Sequence, residues 1–330
     1  MKYKERCYHL CLSNGIQWNL TAINGTGKWL DKLANIMRLE QAERNHLPEI
    51  IFCQMGDFLR ASQHYGSIGC DYGPGKNTKD WFTYGNKYVR TWFNNITSDV
   101  ICELINDGSH KIEIVHMWNS LSPIHRRVQN GGGLPFHAAL LELDGQGIIL
   151  AASGNTGKST ICRRLPDYWN SLCDDEALVV FNQENGYRAH PFPTWSEYYL
   201  YNSSDKSWDV QYSIPICAMF FLEQAESDEV IPLGEGQAVV SINKSANQVS
   251  QKFWKQLDDN EAKRPFSIQQ FNNACKIAKA IPSFTLRASL HGRFWEEMEK
   301  ALATVLPQRP ARTDWSGGYK YITQNKILID

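Results

Sequence analysis

Ile148-Ile149-Leu150-Ala151-Ala152-Ser153-Gly154-Asn155-Thr156-Gly157-Lys158-Ser159-Thr160 is the stretch on which the reading of the fold turns. Its apolar start makes a buried strand, a short glycine-containing turn follows, and Lys158 opens a helical segment that Pro166 soon stops. Strand, tight turn and helix in that order are what a phosphate-binding loop needs, because the first amides of the helix then face the anion. In such a loop Ser153, Gly154, Asn155, Thr156, Gly157 and Thr160 surround the phosphates, Lys158 reaches them as a point charge, and Ser159 offers its hydroxyl to Mg²⁺. The consensus would place glycine at position 152, where this chain has alanine, the mildest replacement. The competing reading is a plain strand–helix turn whose Lys158 is merely solvated.

Upstream, Asp144-Gly145 separates the apolar run Leu134 to Leu143 from the strand that feeds the loop, which predicts a β-hairpin and puts His137 on the neighbouring strand. Gln129-Asn130-Gly131-Gly132-Gly133 is the clearest break in the chain, because successive glycines make a poor interior for any element. A boundary is expected there. It divides an N-terminal accessory α+β domain, 1–128, from a P-loop domain, 129–306, with a Pro- and Gly-containing tail over 307–330. In the first unit strands are expected near Tyr8–Leu12, Ile16–Ala22, Val100–Leu104 and Ile112–Met117. A helix is expected over Trp29–Glu40, from the spacing of Leu30, Leu33, Ile36 and Leu39. In the last third, Ile216–Leu222 and Ala238–Ile242 read as strands, and Ser250–Leu257, Ile268–Ala280 and Phe294–Leu302 as helices. The fold class is therefore α/β with a mixed sheet.

Downstream of the loop, Asp174 and Asp175 close a short apolar segment, Leu172-Cys173. Carboxylates at that place suit two tasks, holding a metal and accepting a proton from an attacking hydroxyl. An acidic turn in water is the alternative. Further on, Ala177–Phe181 and the turn Asn185-Gly186 predict a hairpin whose return strand carries Arg188 and His190 toward the aspartates. There an arginine could stabilise transition-state charge and a histidine could meet acceptor or phosphate, although a proline-stiffened loop packed on Trp195 fits the same residues. Glu197 is a weaker candidate for a second metal contact.

Composition excludes several other classes. A formal charge of −1 argues against a protein held on duplex nucleic acid by phosphate neutralisation. No stretch approaches the roughly 18 apolar residues of a membrane span, and no signal-type apolar run follows Met1-Lys2-Tyr3-Lys4, so a cytoplasmic protein is expected. Nine scattered cysteines fit reduced thiols, and Cys7-x₃-Cys11 beside His9 lacks the further ligands of a closed zinc site.

Taken together, His137, the hairpin into Ile148, the loop through Lys158-Ser159 and Leu172-Cys173-Asp174-Asp175 resemble the core of the HPr kinase/phosphorylase family. A closer resemblance is to the HPr-kinase-like proteins described as SynChlorMet cassette protein ScmC. It is carried by Gly132-Gly133-Leu134-Pro135-Phe136-His137-Ala138-Ala139-Leu140, by Asp174-Asp175-Glu176, and by Arg188 through Trp195. Phe221-Leu222-Glu223-Gln224-Ala225 and the stretch from Leu286 to Trp295 add to it, so that residues 130–305 are covered well and the first 125 loosely. The resemblance implies a P-loop core related to phosphoenolpyruvate carboxykinase. It implies ATP and Mg²⁺ as cofactors, Asp174 as the base, Asp175 as a metal ligand or its support, and His137 beside the phosphates. Because such cassette proteins accompany radical SAM enzymes, it also implies a precursor peptide as acceptor. Thr160 stands where HPr kinases carry an acidic residue, and their Glu-x-Arg-Gly-x-Gly signature is not visible. Phosphorolysis and an HPr-type partner are thus not implied. The expected function is phosphoryl transfer to a Ser or Thr hydroxyl. The alternative is a nucleotide-binding module or scaffold that presents a peptide without transfer.

Overall fold

The computed structural model describes residues 6–23, 25–59, 61, 80–85, 88–105, 108–154, 156–200, 205–254 and 260–306. Asn155 of the loop and the tail over 307–330 lie outside them. The chain builds two mixed sheets. The first has six strands: β1 (Cys7–Cys11), β2 (Gln17–Ala22), β3 (Glu49–Gln54), β4 (Trp81–Gly85), β5 (Val89–Asn94) and β6 (Val100–Leu104), in the order β1-β2-β3-β6-β5-β4. Its centre is parallel, β2 to β3 and β3 to β6, and its flanks are antiparallel. Helix α1 (Gly27–Ile36) makes the crossover from β2 to β3, and α2 (His110–Asn119) and α3 (Ser122–Asn130) follow β6.

The second sheet contains β7 (Leu134–Phe136), β8 (Ala138–Leu143), β9 (Gln146–Ala151), β10 (Asn170–Cys173), β11 (Glu176–Asn182), β12 (Gly186–Phe192) and β13 (Ile214–Gln224). They run β10-β8-β9-β13-β12-β11-β7, while β14 (Glu229–Pro232) and β15 (Ser283–Ala288) extend from β13. Strand β13 joins two halves. Its first residues pair with β12, and the rest lies parallel to β9 on one side and β15 on the other. Helix α4 (Lys158–Arg164) follows β9, α5 (Trp195–Leu200) follows β12, and α6 (Glu235–Trp254), α7 (Asn260–Ala280) and α8 (Phe294–Val305) complete the unit.

The apolar runs of β8 and β9 are explained by burial on both faces, which removes the polar half of the strand alternation. Ala138, Leu140, Ile149 and Ala151 pack into one cluster. Ala139, Leu141, Ile148 and Leu150 pack into another, against Ile161 of α4 and Phe294, Met298 and Leu302 of α8. The expected hairpin is present as β8–β9, with Asp144 and Gly145 both at positive φ, as a two-residue turn of this hand requires. The larger cluster runs without interruption from Leu10 and Leu20 of the first sheet to Leu178 and Val180 of the second. The segment after α5 seals the same seam: Trp208 N–H donates to Ile36 O at 2.8 Å, and Gln211 accepts from Cys11 N–H at 2.9 Å.

Three stretches depart from the expected elements. Ile112–Met117 belongs to a helix, α2, because Ile114 and Met117 stand three apart on one face and enter the core. Their β-branched neighbours imitate a strand, and packing overrides that local preference. Ala238–Ile242 is likewise helical. The buried positions Ala238, Ile242, Ala246 and Val249 trace a helical stripe that a five-residue window is too short to reveal. The run Leu134–Leu143 is not one strand. It breaks at His137, and its halves join different strands, β7 to β11 and β8 to β9. No helix among the described residues is long and apolar enough to cross a membrane.

Candidate active site

Strand β9 delivers the chain to the loop at Ala151, and α4 begins at Lys158. The Thr156 hydroxyl donates to Ser153 O at 2.7 Å and closes the turn. Gly157 caps the helix at φ 92°, a left-handed conformation that a Cβ would strain. Gly154 is different, since a Cβ there would meet nothing within 4 Å, and the space beside it is open. Ser153 and Thr160 are exposed, and Ser159 is half-buried in the first turn of α4. Gln224, at the end of β13, reaches across to Thr156 O at 3.4 Å.

Lys158 points inward and is only 8% exposed. Burial lowers its pKa, and the nearby Asp175 and Asp174 carboxylates oppose that shift. Its ammonium lies 3.3 Å from His137 Nε2, and His137 Nδ1 lies 3.2 Å from Asp175 Oδ1. An ammonium can only donate, so Nε2 accepts and the proton of the neutral ring sits on Nδ1, facing Asp175. His137 occupies the bend between β7 and β8 rather than a strand interior. Its backbone is pinned to α6, where Ser245 O accepts its N–H at 3.3 Å and the Ser245 hydroxyl donates to its carbonyl at 3.2 Å. Asp174 is fixed separately by the buried Thr194, whose hydroxyl donates to Oδ1 at 2.6 Å. Behind the pair, Glu176 opens β11 with its carboxylate 2.7 Å from the buried His125 of α3.

The structure thus brings Lys158, His137 and Asp175 into one contact chain, with Asp174 next to it in sequence. It does not bring Arg188 and His190 to this group. The hairpin forms as expected, but its register places Arg188 opposite Val180, four residues from Glu176, or about 13 Å along the strand. The Arg188 guanidinium donates to the Ser213 hydroxyl and carbonyl. His190 is fully buried. Its Nδ1 faces Val210 O at 2.9 Å, and its Nε2 accepts the Ser13 N–H at 3.2 Å, so it binds the β1–β2 turn to β12. A ring enclosed on all sides has no face for a phosphate. Glu197 pairs with Lys206 at 2.7 Å. Thr194, Ser245 and Gln224 carry no signal as site residues when read alone, because their roles depend on partners 20, 108 and 68 residues away.

Burial pushes the His190 pKa down from 6.5 to about 4. Within that window the unfolded chain binds a proton that the folded chain refuses. Stability is therefore complete above about pH 6.5 and falls as pH drops toward 4, by about 3 kcal/mol in all. Chemical denaturation of His190→Gln at about pH 5 and about pH 6.5 checks this. The variant should lose less stability on acidification than the parent, and equal losses would refute the assignment.

The donor set bears on a metal. Ser159 and Asp175 offer hard oxygens of the kind Mg²⁺ prefers when phosphates supply the remaining ligands. The nearby thiols do not compete, because burial raises Cys173 to about 12 and Cys162 to about 11. No cluster of three or more metal-ligating side chains occurs among the described residues, including those around Cys7, His9 and Cys11. Cys11, Cys53, Cys102, Cys162, Cys173 and Cys275 are free thiols.

A family model described as SynChlorMet cassette protein ScmC matches residues 100–303. No curated protein matches the chain. The matched span begins at β6, takes in α2 and α3, and holds the loop, His137 and both aspartates. Because it covers more than half of the sequence and every residue of that contact chain, the protein belongs to the ScmC family of SynChlorMet cassette proteins.

Proposed function

We propose that this ScmC-family chain is an HPr-kinase-like, ATP- and Mg²⁺-dependent phosphotransferase acting on a Ser or Thr hydroxyl. The observation that carries the reading is Lys158, a buried cation at the first turn of a helix, with His137, Asp175 and Asp174 gathered beside it. A cation held at a helix N-terminus beside open loop space suits the phosphates of a nucleotide. The ion, when bound, supplies charge screening between the phosphates and the carboxylates. The chain's own groups do the rest. Lys158 leaves His137 Nε2 for a phosphate oxygen, and His137, anchored through Ser245, keeps Asp175 oriented. Asp174, held by Thr194, takes the proton from the acceptor hydroxyl as its oxygen bonds to the γ-phosphorus. The bond to the β-phosphate oxygen breaks, and its electron pair leaves with ADP.

The acceptor is carried over from the family resemblance: a precursor peptide matured by radical SAM enzymes, which would then be this protein's partners. The protein with ATP, Mg²⁺ and the peptides encoded beside its gene should add about 80 Da, one phosphoryl group, to a peptide. ATP·Mg²⁺ at about 100 times its Kd should stabilise the parent by roughly 2.7 kcal/mol. In Lys158→Ala that stabilisation should vanish while the fold survives. Unchanged ATP stabilisation in the variant would sink the loop assignment. Stoichiometric binding with no transfer to any cassette peptide would instead favour a nucleotide-dependent presenting module.

A further inference from the structure

A second feature lies in the first sheet, away from the loop. A cleft of about 380 Å³ opens beyond the carboxyl ends of β3 and β6, between the first turns of α1 and α2. Its lining includes Lys28, Trp29, Gln54, Ser109, His110 and Glu113. We infer that this cleft binds a small phosphate-bearing molecule.

Position gives the first argument. In open sheets with parallel strands, ligands settle outside the carboxyl ends of the strands, where helices begin. Here the central strands β2, β3 and β6 are parallel, and α1 and α2, each of ten residues, start at the same end. Two helix N-termini therefore bring their positive ends to one space. Among the described residues no side-chain cap hydrogen bond closes either helix start. The Thr26 hydroxyl is turned away from its own helix, toward the carbonyls of Ile23 and Phe52.

The charge in the cleft gives the second. Lys28 is exposed in the lining. The acidic group there, Glu113, is already met by Lys32 and has His110 Nδ1 at 3.8 Å, so it leaves little negative charge to repel an anion. Trp29 lines the same wall, and its indole N–H is buried there without an acceptor among the described residues. A point charge and two helix ends arriving from separate directions suit a tetrahedral dianion.

The volume sets the size. About 380 Å³ is within the range of small-ligand pockets, enough for one such molecule. The tripeptide Thr26-Gly27-Lys28 at the start of α1 has the same residues as Thr156-Gly157-Lys158 at the start of α4, although Gly27 lies within its helix and lacks the positive φ of Gly157. The two sites are chemically alike and spatially separate, and this inference does not rest on the loop's activity.

Isothermal titration of the full chain distinguishes them. In Lys158→Ala, which silences the loop, inorganic phosphate and AMP should still bind saturably. Adding Lys28→Glu should weaken that binding at least tenfold, and Lys28→Glu alone should leave nucleotide binding at the loop unchanged. Tighter binding of AMP than of phosphate would support an organic phosphate as the ligand, and equal binding would support the phosphate group alone. No saturable binding in Lys158→Ala, or equal affinities with and without Lys28→Glu, would overturn the inference.

Discussion

Asp174→Asn should lower phosphoryl transfer about a thousandfold and leave ATP binding intact, the size of effect that removal of a positioned general base produces. Asparagine keeps the shape of the side chain and an oxygen to accept the Thr194 hydroxyl, so the local packing stays as it is. What it loses is the ability to take a proton. Single-turnover transfer to a peptide, measured beside ATP binding by titration, separates the two effects. A variant that transfers at the parent rate would remove Asp174 from the chemistry. Thr194→Val is the companion measurement. Without that donor the carboxylate loses its anchor, so transfer should slow about tenfold or more while ATP binding stays as it is, and Thr194→Ser should restore the rate.

The largest effect on stability is expected from Gly133→Ala. A Cβ at Gly133 would stand 2.2 Å from Val179 O, 2.7 Å from Val128 Cγ1 and 3.0 Å from Val180 Cα. Two of these are backbone atoms of β11, which cannot yield without disturbing its pairing with β7 at Leu134 and Val179. The Gly133 carbonyl is also tied to the buried Asn273 side chain of α7 at 3.1 Å. Overpacking at such a point costs about 3 kcal/mol or more. Gly236 is the control, because a Cβ there meets nothing within 4 Å in the first turn of α6. Gly236→Ala should be neutral or stabilising by roughly 0.5–1 kcal/mol. Denaturant midpoints of the two variants test the contrast, and similar midpoints would show that β7 is not packed as closely as these distances require.

Gly133 shows a demand that the sequence reading does not contain: Gly132 takes the positive φ of 89° that permissive glycine predicts, whereas Gly133 answers to packing. Gln129 through Gly133 reads as a break because glycine is permissive. In the folded chain the last of these glycines is required for close approach, with Val128 and Leu134 buried on either side of it. Arg188 and His190 teach the same lesson from the other side. Their residue types suit phosphate chemistry, and the hairpin that carries them forms as expected. Register and burial nonetheless direct Arg188 to Ser213 and close His190 inside the seam.

What the sequence by itself determined is local. The strand, turn and short helix around Lys158 were legible because a continuous apolar run, two glycines and Pro166 act within a few residues of one another. The β8–β9 hairpin was legible from Asp144-Gly145 for the same reason. Only the tertiary structure decided the rest. Residues 112–117 and 238–242 became helices because their buried faces had helices and sheets to pack on, which short-range propensity does not register. The contact of Lys158 with His137, and of His137 with Asp175, joins three separate stretches of chain through a bend that Ser245 of α6 holds in place. Such a contact is set by the crossing of sheet and helix in space, and side-chain chemistry read in order along the chain contains no term for it.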